Sequence, residues 1–176
     1  MSKQIWALDP THSEMQFKVK HLMISTVTGN FHAFSANVET DGDDFSTAKI
    51  TFNAEIDSIS TGDAQRDGHL KSPDFFDAAQ FPSIGFESTS FTKHTGDVYK
   101  LSGNLTMHGV TKAVELDAEL GGIAKDPWGN TKAGFTISGK INRKDFGLNW
   151  NVALETGGIL VGEDVKLHAE VQFVKQ

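Results

Sequence analysis

The chain lacks cysteine altogether, holds only four prolines and one tyrosine, and has no apolar run of signal-peptide or membrane-spanning length. Without a thiol, disulfide scaffolds, cysteine nucleophiles and cysteine-ligated zinc are excluded. Scarce proline, with 38% hydrophobic and 22% charged residues, argues against an extended disordered chain. Positive charge is also short. Against 23 Asp and Glu stand 16 Lys and Arg, a net charge of -7. A nucleic-acid binder needs a basic face to meet phosphates, so that class is disfavoured, as is adsorption to an anionic membrane by overall charge. The opening Met-Ser-Lys-Gln runs straight into Ile5, Trp6 and Leu8 with no signal-like stretch. The expected location is therefore cytoplasmic, or periplasmic if the sequence is a processed form.

What the chain does have is phenylalanine, 13 of them against three Trp. A ring without a polar tip suits a dry interior. The dominant hydrophobic period is two. Ala48, Ile50, Phe52, Ala54 and Ile56 alternate with polar residues, the mark of a strand with one wet face. Met15, Phe17 and Val19 repeat the pattern, as do 99–107, 114–120, 133–141 and 165–173. Less regular strands over 29–38 and 84–91 complete a set of about eight. Turn signals separate them at Asp41-Gly42-Asp43, Thr95-Gly96-Asp97, His108-Gly109, Asp126-Pro127-Trp128-Gly129-Asn130 and Gly157-Gly158. Long one-sided strands can pair two sheets or close one, and with little helix to cover a face, closure is preferred. The expected fold is all-β, an eight-stranded antiparallel barrel around a lumen.

Only 60–82 departs from this pattern. Ser72 is a good N-cap and Pro73 a good first helical residue, so short helices are expected over 63–70 and 73–77. The pair Phe75-Phe76 reads as a lid or plug on one barrel end. Phe17, Val19, Phe52, Ile56, Phe86, Leu105, Phe135 and Ile137 should face the lumen. Periodicity alone does not separate a packed core from a ligand cavity. Twelve-residue strands rise ~40 Å, giving a tilted barrel ~30 Å tall. Gly29, Gly103 and Gly139, at or near interior positions, are expected to leave room for a long hydrocarbon.

Seven histidines invite a metal hypothesis. His94 and His168 read as surface residues. His12 and His21 flank the first clear strand, His69 lies in the helical connection and His108 precedes a turn. Four imidazoles can bind zinc, yet none forms an i, i+2 or i, i+4 pair and there is no H-E-x-x-H. Separate hydrogen-bonded histidines are favoured, with no metal; a metal-assisted enzyme on a lipid-like substrate is the alternative. Asp9, His12 and Ser13 have the residue types of a catalytic triad but no nucleophile elbow. A turn capped by Asp9 or Ser13 is preferred there. Arg66-Asp67-Gly68-His69 is expected to hold an ion pair tying the lid to the barrel, and Arg143 with Asp145 is read the same way.

Ordered blocks across the chain are familiar. Asp9-x-x-His12-Ser13, Phe17-x-Val19-x-His21, Gly29-x-Phe31, Arg66-Asp67-x-His69-Leu70-x-Ser72-x-Asp74-Phe75-Phe76-Asp77, Phe81-Pro82, Gly103-x-Leu105-Thr106-Met107-His108-Gly109-Val110-Thr111-Lys112 and Asn142-Arg143-x-Asp145-Phe146-Gly147 resemble the YceI family of bacterial lipocalin-like proteins. The resemblance implies one lipocalin-like barrel domain over 1–176. It implies a lumen holding a polyisoprenoid, an isoprenoid quinone or a similar amphiphile, a transport or stress-response role, and no settled catalysis. On that basis Phe31, Phe75, Phe76 and Phe146 join the lumen set as ligand contacts. Asp9, His12, His21, Arg66, Asp67, His69 and Arg143 are the expected head-group or lid polar residues. The expected partner is a hydrophobic small molecule; a homodimer is permitted without being required.

Overall fold

The computed structural model describes residues 2–154 and 158–176. The turn expected at Gly157-Gly158 thus has its first glycine outside the described residues.

One sheet contains β1 (Lys3–Leu8), β2 (Glu14–His21), β3 (Ser25–Phe31), β4 (Phe34–Asp41), β5 (Asp44–Glu55), β6 (Ile59–Ser60), β7 (Ser83–Thr95), β8 (Val98–Met107), β9 (Val110–Lys125), β10 (Thr131–Asn142) and β11 (Val161–Lys175). These make eight staves, because β1 and β2 are halves of one interrupted strand, both paired with β11. In the same way β3 and β4 pair with β2 and β1, and β6 continues β5 beside β3. Neighbouring staves follow chain order and run antiparallel, and β1 against β11 closes the barrel. Closure leaves no free edge along the main wall.

The break between β1 and β2 follows from Asp9-Pro10. Pro10 has no N–H for the ladder, and the Asp9 carboxylate accepts from Thr11 N–H at 3.1 Å. Ser13 Oγ donates to Asp9 O at 2.7 Å and accepts from Gln172 N–H at 3.0 Å. The sheet is thereby stitched across its kink by a hydroxyl. Downstream hairpins turn where the sequence predicts: Gly42, Gly96 and Gly109 have φ of +59°, +55° and +73°, a region glycine enters without a Cβ clash.

Two expectations are corrected. The helix α1 spans Ala64–Lys71, with the Asp63 carboxylate accepting from Gln65 and Arg66 N–H. Residues 73–77 form no second helix. The amides of Phe76 and Ala78 donate to Leu70 O and Lys71 O, and those of Phe75 and Asp77 to Ser72 O. The last carbonyls of α1 thus take the N–H groups that a new helix would need, and Asp77 turns left-handed at φ +51°. The second correction concerns the interior glycines. A Cβ on Gly29 would meet the Phe17 ring, one on Gly103 the Phe86 ring and one on Gly139 the Leu116 side chain. The missing side chains seat neighbouring groups and leave no added room.

One barrel end is shut. Trp6 is 0% exposed, packs 5.0 Å from Phe45, and donates from Nε1 to Thr40 Oγ1 at 3.2 Å. Phe135 meets Phe45 edge-on at 5.2 Å, with Phe91 and Phe173 also buried. This aromatic floor has its polar handle satisfied, as a dry plug requires.

Candidate ligand cavity

Above that floor the barrel is hollow. A cavity of about 560 Å³ lies between the staves, with apolar walls for most of its depth. Phe17 and Val19 reach it from β2, Phe31 from β3, Phe52 from β5, Phe86 from β7, Leu105 from β8, and Phe135 and Ile137 from β10. Strand alternation aims each of them inward. Two residues expected in the lumen lie elsewhere: Ile56 and Phe146 are both 1% exposed and belong to the surrounding core, off the cavity wall. Each sits in a 3-10 turn after its strand, where the two-residue period no longer fixes direction.

The opposite end is the mouth. His21, Arg66, His69 and Arg143 all line it, beside Lys20, Asp63 and Gln65. The expected lid is present as an aromatic cluster. Phe75 is buried, 5.2 Å from Trp150 and 5.0 Å from the His69 ring, and Phe76 meets Phe31 edge-on at 6.3 Å. His69 Nε2 donates to Asp74 Oδ2 at 2.9 Å and its ring stands edge-on to Trp150 at 4.7 Å. Trp150 and Leu148 line the cavity although the sequence pattern does not single them out. Their i, i+2 spacing was the available signal, and it lies outside any regular strand.

Arg143 is the unusual group. It is 3% exposed, and among the described residues no carboxylate pairs with it, so the pairing with Asp145 is not formed. Instead Nε donates to Gly162 O at 2.8 Å, Nη1 to Leu148 O at 2.6 Å and Trp150 O at 3.0 Å, and Nη2 to Val161 O at 3.2 Å. A guanidinium carries five N–H donors, so one on Nη2 has no acceptor among the described residues. Burial pushes its pKa down, with Glu163 opposing weakly. Four backbone carbonyls and the Phe75 ring, 6.0 Å from the guanidinium carbon, thus take the place of a paired carboxylate.

The remaining polar residues are structural. Arg66 donates from Nε to Thr61 Oγ1 at 2.8 Å and from Nη2 to Thr61 O at 2.7 Å. Asp67 accepts from Thr61 N–H and Oγ1–H at 2.8 and 2.6 Å. Both therefore anchor α1 through Thr61 by hydrogen bonds, where an ion pair from this cluster to the barrel was expected. Asp9 and His12 stand on the β1–β2 turn, away from the cavity. Hydrogen bonds from the Thr11 hydroxyl first and His12 second hold the Asp9 carboxyl far below the usual range. His108 faces Phe146 O at 3.1 Å and the Phe81 ring. Among the described residues no three metal-binding side chains gather, so the histidines do not form the cluster that the metal-assisted alternative requires.

Comparison with known proteins places these features. A YceI-like domain family model matches residues 6–173. A UPF0312 protein of Staphylococcus aureus strain N315 is 43% identical over 169 residues, 96% of each chain. The Campylobacter jejuni YCEI protein structure aligns at TM-score 0.78 and 36% identity, covering 89% of this chain and 90% of that one. A domain from Saccharophagus degradans described as polyisoprenoid binding shares the fold at TM-score 0.74 with 15% identity, covering 97% and 98%.

Proposed function

Since the chain belongs to the YceI-like domain family, we propose that it is a binding protein, not an enzyme, which holds the tail of an isoprenoid, such as an isoprenoid quinone, in its barrel. The observation that carries this reading is the hollow, apolar interior of about 560 Å³ behind a polar mouth. That volume lies within the ~300–1,000 Å³ of small-molecule sites. Each methylene moved from water onto these walls contributes about 0.8 kcal/mol. An amphiphile enters tail first, because the floor of Trp6 and Phe45 offers no passage and no polar partner. Its head group then lies near Arg143, whose second Nη2–H, without an acceptor among the described residues, suits a carbonyl or anionic oxygen, with His21 and His69 alongside. Phe75, Phe76 and Trp150 cover the tail below the head group.

Organic extraction and native mass spectrometry of the purified chain test this. The expected result is one amphiphile per chain, or uptake of one isoprenoid quinone. Ile137→Trp, which places an indole in the lumen, should abolish uptake while the far-ultraviolet spectrum stays that of the parent. A parent protein that carries nothing and takes up no quinone overturns the proposal.

A further inference from the structure

The hairpin joining β2 to β3 projects beside the cavity mouth and is apolar at its tip. Leu22, Met23 and Ile24 are 39%, 62% and 82% exposed. Leu22 and Met23 have φ of +54° and +61°, and Ile24 N–H donates to His21 O at 3.2 Å. Two consecutive positive-φ residues are the pattern of a type I′ turn, a place suited to Asn-Gly. Leucine and methionine there are strained; the Met23 thioether lies over Gly158, none of the three lines the cavity, and none belongs to the buried core. Val152, 47% exposed, lies on the neighbouring segment, where Leu160 N–H donates to Val152 O and Leu22 N–H to Leu160 O.

Charge is arranged around this tip. On the outer wall Lys18 lies directly opposite Lys166, and Lys166 opposite Lys140, across three adjacent strands. Like charges in facing positions weaken a sheet, so the row does not serve the fold. Lys140 approaches Asp164 at 3.7 Å; Lys18, Lys20 and Lys166 have no ion-pair partner among the described residues. Lys20 and Lys18 lie about 7 and about 14 Å along the strand from Leu22 at ~3.4 Å per residue. On the same wall, between Val161 and Val165 of β11, Glu163 and Asp164 are engaged by Lys144 at 2.9 Å and Lys140 at 3.7 Å; Asp63, Asp67 and Asp74 belong to the helical connection, beyond β3 and β6.

We propose that this hairpin, with the Lys18–Lys166–Lys140 row, docks the cavity mouth on an anionic lipid bilayer. The net charge of -7 opposes adsorption at long range, but only charges within about 8 Å of the surface act strongly at physiological salt. An apolar tip buried ~5–10 Å in the headgroup region brings the nearest lysines to the phosphates. The proposal rests on the lipid-holding reading for its purpose: the mouth would meet the medium in which such a ligand dissolves.

Flotation of the full chain with vesicles of phosphatidylcholine, alone or mixed with phosphatidylglycerol, tests it. The parent should float with the mixed vesicles, less so at high salt. Met23→Asp combined with Ile24→Asp should lower binding at least tenfold. Lys18→Gln with Lys166→Gln should weaken it and flatten the salt dependence. Leu22→Asn with Met23→Gly, which suits the turn, should lose flotation while its melting temperature holds or rises. Absence of parent flotation, or flotation indifferent to the tip variants, overturns the proposal. So does a dimer that these variants convert to monomer with vesicle binding unchanged, since the tip then covers a second copy. Quinone uptake from detergent micelles, run on the same proteins, separates the two ideas. Uptake retained by the tip variants with flotation lost supports docking; failed uptake by the parent overturns the ligand reading while flotation still decides docking.

Discussion

Replacing Arg143 by Met would leave the Leu148, Trp150, Val161 and Gly162 carbonyls without their shared donor. Each buried carbonyl so orphaned costs about 1–3 kcal/mol, so the substitution should be destabilising by at least that much, read as a lower denaturant midpoint. Arg143→Lys should recover only part of this, because an ammonium lacks the planar fork that spans separate acceptors. Asp9 gives a pH signature. Its carboxyl is held low by Thr11 and His12, so it contributes stability above the unfolded-state pKa of about 4 and loses it as pH falls through the lowered value. Asp9→Asn should therefore cost about 1–2 kcal/mol at neutral pH, and the gap in urea unfolding between the two proteins should narrow below about pH 4. At this scale the sequence showed residues that a period of two controls, such as Phe17, Phe86 and Ile137. It did not show that Arg143 binds carbonyls in place of Asp145, because those acceptors come from backbone 5 to 19 residues away. Nor did it show Ile56 and Phe146 turning off the wall, since both lie just past the end of a ladder.

Among the elements, α1 differs from the staves in having no buried residue. It is held to the barrel through Thr61 and through the aromatic cluster that follows it. A segment so lightly buried opens locally before the rest. Amide hydrogen exchange should be faster over 64–71 than in β5 or β8, and a bound amphiphile should slow it; equal protection in both would contradict a lid role. The helix at Ala64–Lys71 was legible from composition and the departure from strand period. The expected helix at 73–77 rested on a true local signal, the Ser72-Pro73 pair, but a capping signal does not reveal that nearby carbonyls compete for the same amides. Expected lumen space at Gly29, Gly103 and Gly139 failed similarly, because a vacancy on one strand is visible in sequence while the ring from its neighbour is not.

For the whole molecule, closure was legible: eight long one-sided strands with little helix leave few ways to hide their apolar faces. The polarity of the barrel was not, because alternation reads the same at both ends, and only packing shows that Trp6 and Phe45 seal one while His69 and Trp150 frame the other. That asymmetry has a kinetic consequence. With a blind end, an arriving competitor cannot push the resident molecule out from behind, so exchange requires an empty intermediate. The rate of release should be independent of competitor concentration, measurable by chasing a fluorescent polyene with rising unlabelled quinone. A release rate that climbs with the chase would mean the sealed end admits traffic. Any bound amphiphile would then have to leave by the doorway through which it came.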